Sequence, residues 1–411
     1  MLNAASEREL AYVVLIDGIE PIPGYDRVEH AIVGGWRIIV QKDQFKVGDP
    51  AIYFEIDSRV PSDRECFAFL EKRHYKVKTL KMCKTLSQGL LMHADDFGWT
   101  TGDGSEFTEK SPYIMDDEKM VHFATGESRF LTKKLGVTYA DDEDNVRKAA
   151  PADKYKKMTQ RHPNIFKKPF VRWLMKYKFG REVMFFFFGK KKDKKNGWPS
   201  WVQKTDEERV QNMPWILNST DKWIATEKID GTSTTFTMKR GKFGKKLFYV
   251  CSRNVCFGEE NKPCYYDTNV YWEMAKKYRI FDVLVALFLA HPEEEWITIQ
   301  GETYGDGVQK RDYSIKEHDF AAFNLIYSTK GRVNTPDMIY ELNHYGVPCV
   351  PVVEENIDFT NKFSTVEDML LWAEGESKVD GLPREGIVFR TMDGQKSFKA
   401  VSNSFLLKYH G

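Results

Sequence analysis

Nine residues, Ala225-Thr226-Glu227-Lys228-Ile229-Asp230-Gly231-Thr232-Ser233, constrain this chain more than any other stretch. Short β-prone runs flank them, Trp223-Ile224 before and Thr234-Thr235-Phe236 after. The spacing therefore predicts two strands joined through an Asp-Gly turn. A primary amine at Lys228 then ends one strand, beside a glycine where backbone can approach a ligand closely. Lysine is a competent covalent nucleophile once its charge is removed. Lys-x-Asp-Gly alone is a short pattern that also arises by chance, so the partners such a lysine needs must decide the reading.

Those partners follow in order. Ser252-Arg253-Asn254 comes first, then Gln300-Gly301-Glu302-Thr303-Tyr304-Gly305, a strand end with a carboxylate between glycines. Asp319-Phe320-Ala321-Ala322-Phe323-Asn324-Leu325 offers two aromatics on one strand-like run. Arg384-Glu385-Gly386-Ile387-Val388-Phe389-Arg390 presents a second carboxylate, and Lys396-Ser397-Phe398-Lys399 closes the set. Singly, each has a bland explanation: a buried ion pair, a core aromatic, a solvated lysine. Together they meet the needs of nucleotide transfer to an amine, in which pyrophosphate must leave opposite the attacking nitrogen. Carboxylates at Asp230, Glu302 and Glu385 suit a hydrated divalent cation beside the α-phosphate. Lys399 can neutralise phosphate oxygens in the transition state, and an aromatic can stack on the base.

With 411 residues the chain has room for two or three domains, and 42% hydrophobic residues allow real cores. The longest apolar run, Val183 to Phe188, is far too short to span a membrane. A net charge of +1 conceals an uneven distribution. From Lys154 to Lys204 there are 13 Lys and 3 Arg against one Asp and one Glu, which suggests a polyanionic partner or a solvated linker. The six cysteines form no Cys-x-x-Cys pair, and the N-terminus has no basic-then-apolar signal pattern. A cytoplasmic or nuclear protein is expected.

Residues 11–93 read as about five short strands separated by Pro and Gly turns, a small OB-like or SH3-like barrel. Its basic run, Arg73, Lys76, Lys78, Lys81 and Lys84, could lie along a phosphate backbone. Residues 100–150 lose periodicity, and Asp141-Asp142-Glu143-Asp144 reads as a solvated linker. Pro169 to Phe179 has helical apolar spacing with cations interleaved, which suits a docking helix or a nucleic-acid contact. Thr205 to Val210 reads as a capped helix start, and about Tyr266 to Ala290 as one long helix.

Over residues 205–411 the chain resembles the covalent nucleotidyltransferases, polynucleotide ligases and mRNA capping enzymes, and among them an ATP-dependent RNA ligase. Lys228-Ile229-Asp230-Gly231 is similar to motif I, Arg253 to motif Ia, Gly301-Glu302 to motif III and Phe320 to Phe323 to motif IIIa. Glu385-Gly386 is similar to motif IV and Lys399 to motif V. Pro21-Ile22-Pro23, Phe54-Glu55-Ile56-Asp57-Ser58, Ser87-Gln88-Gly89 and Lys204 to Asn212 resemble the subfamily with an N-terminal OB domain. That subfamily seals 3′-OH and 5′-phosphate ends and needs RNA at the 3′-OH side.

The resemblance implies an α+β chain in three parts. These are an OB-like RNA-binding barrel at 1–125, an acidic linker with the basic aromatic segment at 126–204, and an adenylyltransferase domain of antiparallel sheets and helices at 205–411. It implies that Lys228 carries AMP, that Glu227, Arg253, Phe320 or Phe323 and Lys399 contact the nucleotide, and that Glu302 and Glu385 organise metal and ribose. Asp230, Glu302 and Glu385 would hold Mg²⁺ or Mn²⁺ through water. The implied partners are ATP and RNA with 3′-OH and 5′-phosphate ends, in a nicked duplex, with no membrane and with RNA repair as the role. One departure stands out. Motif V often pairs two lysines as Lys-x-Lys, but Ser397 occupies the first place and Lys396 lies one residue out of register. DNA ligases and GTP-dependent capping enzymes place an OB domain after motif V, where only twelve residues follow Lys399 here. A non-catalytic nucleic-acid-binding protein would not need Lys228, Asp230, Glu302, Glu385 and Lys399 together.

Overall fold

The computed structural model describes the whole chain except residues 5–6, 109, 141–154, 156–157, 160–161, 189–197, 259–263, 265, 267, 310 and 411. The acidic run at 141–144 and the lysine cluster at 190–195 lie outside the described residues. Among the described residues no helix is long and apolar enough to cross a membrane.

The strands on either side of the Asp-Gly turn do form, but they do not pair with each other. Lys222–Lys228 lies in a five-stranded sheet and Thr232–Arg240 in a six-stranded one. The first sheet runs Glu208–Arg209, Ser397–Val401, Gly386–Thr391, Lys222–Lys228, Val352–Asp358. The second runs Cys256–Phe257, Lys246–Ser252, Thr232–Arg240, Trp296–Gly305, His318–Tyr327, Gly331–Arg332. Ile229-Asp230-Gly231 is thus the crossing between two sheets.

Alternation along each strand decides what covers it. Phe236, Met238, Ile297, Ile299, Phe320 and Leu325 form one core with Val270–Lys277, Ile280–Ala290 and Thr335–His344. Trp223, Ala225, Ile387, Phe389 and Phe398 form another with Val366–Ala373. These helices cover one face of each sheet.

The N-terminal unit is built on Ala11–Leu15, Pro50–Phe54 and Leu90–Met92, with Gly18–Ile22, Tyr25–Val33 and Trp36–Gln41 as a second sheet. Successive residues of Ala11–Leu15 serve two cores, Ala11 and Val13 on one side, Tyr12 and Val14 on the other. That explains the uninterrupted apolar run. The first core continues past residue 125 through Leu131, Leu135 and Val137, so this unit extends further than the sequence suggests. The second core includes Val401 and Leu406 from the other end of the chain. The C-terminal segment therefore completes the barrel's packing.

Four expectations from sequence change. Thr205 to Val210 does not begin an α-helix; Glu208–Arg209 pairs in parallel with Ser397–Val401, and a 3₁₀ turn follows. Edge pairing with the sheet competes successfully with the local capping signal. The helix expected from 266 to 290 is split in two, because Arg279 adopts a left-handed conformation with φ of 50°. Residues 100–123 form a three-stranded sheet, Thr100–Gly102, Tyr113–Met115 and Val121–Phe123, in strands too short to show periodicity. The helical stretch at 169–179 ends at Leu174, and a separate helix runs from Lys178 to Phe188.

A buried polar knot fastens the barrel to the catalytic half. The Asn212 side chain accepts from the Trp36 indole at 2.7 Å and the Tyr12 hydroxyl at 3.2 Å. It donates to Glu55 at 2.8 Å and Glu208 at 2.7 Å. The N-terminal ammonium adds an ion pair to Glu55 at 2.7 Å, and Arg209 binds Asp57 at 2.8 Å. Gly35 stacks so closely on this junction that a Cβ would come within 2.8 Å of the Gln211 Cα. Each buried polar group left without a partner costs on the order of 1–3 kcal/mol. Asn212→Ala is therefore expected to cost about 3 kcal/mol of unfolding free energy, read from chemical denaturation, whereas replacing exposed Asn164 by Ala should change it by less than about 0.5 kcal/mol.

Candidate active site

Lys228 is the last residue of its strand and sits opposite Gly386. That register brings Glu385, the residue just before Gly386, alongside the lysine, with Nζ and carboxylate 2.7 Å apart. Both glycines are there for contact. A Cβ on Gly386 would lie 2.3 Å from the Ala400 carbonyl oxygen, and one on Gly231 would lie 2.4 Å from that of Thr303. The close approach at Gly231 sets the crossing against the strand Trp296–Gly305, whose Glu302 Cγ would be 2.8 Å from the same Cβ. Asp230 is held by its backbone, its N–H donating to the Tyr313 hydroxyl at 2.6 Å.

The half-buried Lys228 ammonium is surrounded by negative charge. Burial alone would lower its pKa, but Glu385, Glu302 and Asp230 raise it instead. Glu302 shows the reciprocal strain. Burial, with Glu385 and Asp230 adding repulsion, pushes its carboxyl up to about 8 although Lys228 and Arg253 oppose the shift. Three carboxylates around one amine leave an excess of negative charge in a site screened from water.

A second cluster centres on Asp206. Its carboxylate meets Lys399 Nζ at 2.9 Å, Arg8 Nε at 2.9 Å and Arg253 Nη2 at 3.1 Å. Burial would raise this carboxyl, but Lys399, Arg8 and Arg253 hold it well below the usual range. Lys399 is pushed down to about 8, chiefly by burial, with Arg8, Arg209 and Lys228 adding repulsion against the pull of Asp206. Arg253 also lies with its guanidinium 5.5 Å from the Tyr139 ring centroid. Asp206 and Arg8 escaped the sequence reading: Asp206 lies inside the Lys204 to Asn212 signature, and an N-terminal arginine carries no local mark of its role.

The remaining candidates separate. Phe320 is fully buried in the helix-covered core, edge-to-face with Phe236, so it is not available to stack on a base where it stands. Phe323 is the extra residue of a bulge: Gln300 pairs with Asn324 and Gly301 with Ala322. It packs against the cluster containing Ile229, Tyr304 and Tyr313, on the side of the lysine turn. The bulge is what puts an aromatic there. The Glu227 carboxylate is buried and accepts from the Ser377 hydroxyl and from the Lys378 N–H at 2.7 Å. Lys396 is exposed and pairs with Asp221 at 2.7 Å, away from Lys399.

Ser397, in the place of the first motif V lysine, is paired across the sheet with Arg390. Buried Arg390 reaches Glu207 at 3.3 Å and Thr226 Oγ1 at 3.4 Å, and its guanidinium lies 5.9 Å from the Phe323 ring centroid. A cation is thus present on this face, supplied from the neighbouring strand. From sequence alone Arg390 reads only as the end of an apolar strand. Among the described residues no three carboxylate, imidazole or thiolate groups converge as direct metal ligands.

Comparison with known proteins agrees with this arrangement. An OB-fold domain model matches residues 10–94 and an RNA ligase model matches residues 221–410. No curated protein sequence matches the chain. Among solved structures, an RNA ligase from Naegleria gruberi with PPi is 25% identical, with a TM-score of 0.67 over 97% of this chain and 98% of that one. A single-residue variant of the same Naegleria ligase with ATP and Mn is 26% identical, with a TM-score of 0.68 over 98% and 100%. Another variant, with AMP and Mn, is 25% identical, with a TM-score of 0.68 over 98% and 99%. The matches lead to one assignment: residues 221–410 are a domain of the RNA ligase family, preceded at residues 10–94 by an OB-fold domain.

Proposed function

We propose that this RNA ligase uses ATP to adenylylate Lys228, passes AMP to an RNA 5′-phosphate, and joins that end to a 3′-OH. The observation that carries the reading is the Lys228 amine, half-buried at a strand end and 2.7 Å from the Glu385 carboxylate. In the first step Nζ bonds to the α-phosphorus and the bond to pyrophosphate breaks, while Glu385 holds the proton that the amine gives up. A 5′-phosphate oxygen then displaces the lysine from phosphorus. Finally the 3′-OH attacks the activated 5′-phosphate and AMP leaves.

Each residue has a part in this scheme. Phe323 stacks on adenine, with the Arg390 guanidinium over its ring at 5.9 Å from the centroid. Lys399 neutralises the α-phosphate and Arg253 contacts ribose or the RNA end. Glu227 contributes its backbone to the base pocket while Ser377 and Lys378 hold its carboxylate. The excess of carboxylates around Lys228 fits a hard, oxygen-seeking cation such as Mg²⁺ or Mn²⁺. Asp230, Glu302 and Glu385 would hold it through its water shell; when bound, it supplies positive charge at the α-phosphate and eases deprotonation of the lysine. The barrel, fastened through Asn212 and completed by Val401 and Leu406, positions the RNA ends. Sealing nicked RNA during repair is the role that suits this chemistry.

Incubation with α-labelled ATP and a divalent cation should label the protein on Lys228. Lys228→Ala should abolish the label, and label on another lysine in that variant would overturn the assignment. Glu385→Ala and Glu302→Ala should each slow labelling at least about 100-fold, since each removes an oxygen donor from the proposed cation site and so weakens stabilisation of the transition state by on the order of 3 kcal/mol.

The pH dependence follows from Lys399. Its folded pKa lies near 8, so it is charged below that value and neutral above it. Its neutralisation of phosphate is therefore present below pH about 8 and lost as pH rises through it. Lys399→Arg keeps the charge throughout. At ATP concentrations well below KM, where the free enzyme's groups govern the rate, the ratio of wild-type to variant labelling rate should fall with pH above about 8, approaching tenfold per unit; a ratio independent of pH would remove Lys399 from this role.

Substrate selectivity gives a separate check. A nick with ribose at the 3′-OH should be sealed at least about tenfold faster than an all-DNA nick, measured by gel assay under single-turnover conditions. Equal rates would exclude RNA selectivity at the 3′ side.

A further inference from the structure

Between the regions matched by the two family models lies an element that neither covers. Helices Pro163–Phe166, Pro169–Leu174 and Lys178–Phe188 fold around a small core of Met158, Phe166 and Met184, with Leu174 packed against it. Gly180 lies so close to this turn that a Cβ would be 2.1 Å from the Leu174 carbonyl oxygen. The element is therefore a built structure with an inside and an outside.

Its outside is unusual. Phe170, Trp173, Tyr177 and Phe179 are 69%, 52%, 53% and 79% exposed. Phe170 and Trp173 are stacked, with ring centroids 6.0 Å apart and planes 28° from parallel, and Tyr177 stands edge-on to Trp173 at 5.2 Å. Lys167, Lys168, Arg172, Lys176 and Lys178 are exposed among these rings, and no carboxylate occurs between Lys167 and Phe179. Large aromatic rings left in water carry a cost that a soluble linker has no reason to bear. A protein-docking surface would be expected to concentrate apolar groups at its centre and cations at its rim. Here cation and ring alternate along the chain.

We propose that residues 167–179 form a binding platform for the RNA strand of the ligase substrate. The five cations would track the phosphates while the stacked aromatics receive unpaired bases of single-stranded RNA flanking the nick. Alternation of ring and cation matches single-stranded nucleic acid, where each nucleotide presents one phosphate and one π-face. Stacking has no sequence requirement, which suits an enzyme that must hold ends of many sequences. The inference rests on the RNA-sealing function in naming RNA as the polyanion.

Two full-length variants separate the contributions. One replaces Lys167, Lys168, Arg172, Lys176 and Lys178 by Ser; the other replaces Phe170, Trp173, Tyr177 and Phe179 by Ser. All nine positions are exposed, so neither variant disturbs the Met158–Phe166–Met184 core. Binding of an end-labelled single-stranded RNA is followed by fluorescence anisotropy across a range of salt concentrations. The first variant should reduce the slope of log affinity against log salt by up to about 3.5, since each phosphate contact on a single strand contributes about 0.7. The second should weaken binding at least about tenfold with the slope unchanged, because stacking releases no counterions.

Labelling of Lys228 by ATP is measured in the same preparations and should equal that of the wild type. Unchanged affinity and slope in both variants would overturn the proposal. So would intact RNA binding combined with lost binding to anionic phospholipid vesicles, which would make the surface a membrane contact. Normal RNA behaviour of the platform in a protein that never labels at Lys228 would instead count against the catalytic reading and leave the platform standing.

Discussion

Lys228 stands among carboxylates because the chain changes sheets immediately after it. Had Lys222–Lys228 and Thr232–Arg240 been partners in one hairpin, the amine would have lain on an ordinary sheet face. They belong to different sheets, so the turn at Ile229-Asp230-Gly231 lines the seam between them. Gly231 allows that seam to close, since any side chain there would collide with the Thr303 carbonyl. Its close fit brings a carboxylate from the second sheet, Glu302, towards an amine from the first. Glu385 reaches the same point through strand register. The three charged groups come from three distant parts of the sequence and meet where the two sheets meet.

The electrostatics of the site follow from that convergence. In the free protein the carboxylates keep Lys228 protonated, a state that cannot attack phosphorus, while burial keeps Glu302 reluctant to ionise. A cation and a polyphosphate entering together would alter both tendencies at once. A nearby cluster has the opposite design. Asp206 gathers buried Lys399 and Arg8 and the partly exposed Arg253 around one carboxylate, holding together three cations that would otherwise repel. Arg8 also contacts Glu55 of the barrel at 3.4 Å, so this cluster joins the two halves of the molecule electrostatically. The barrel is thus part of the catalytic unit's construction, through Arg8, through the Asn212 knot and through Val401 and Leu406.

Much of the site was legible in the sequence, because nucleotidyltransferase chemistry needs a few residue types next to glycines and in a fixed order. Those local signatures single out Lys228, Asp230, Glu302 and Glu385, which the structure brings to one seam, and Lys399, which it places in the neighbouring Asp206 cluster. The barrel was legible for a different reason: short β-branched runs punctuated by Pro and Gly leave few other folds. Helix signals were less dependable. Thr205 to Val210 carries a capping pattern yet pairs as an edge strand, and Arg279 breaks a helix that its neighbours would continue. Local propensity amounts to a few tenths of a kcal/mol per residue, and tertiary packing overrides it.

Composition and order along the chain therefore determined that this protein has a barrel, and which lysine and carboxylates are candidates for a metal-assisted transfer. Only the tertiary structure decided which of two nearby phenylalanines faces the lysine turn. A single bulge turns Phe323 to that side while Phe320 enters the core, and no alternation pattern reveals where a strand carries one extra residue. It also decided that Arg390 stands across from Ser397 where a lysine was expected, and that Arg8 reaches Asp206 from the far end of the chain. Sequence records which groups are available; distance and burial arise from register between strands far apart in the chain, and these set the charge each group carries.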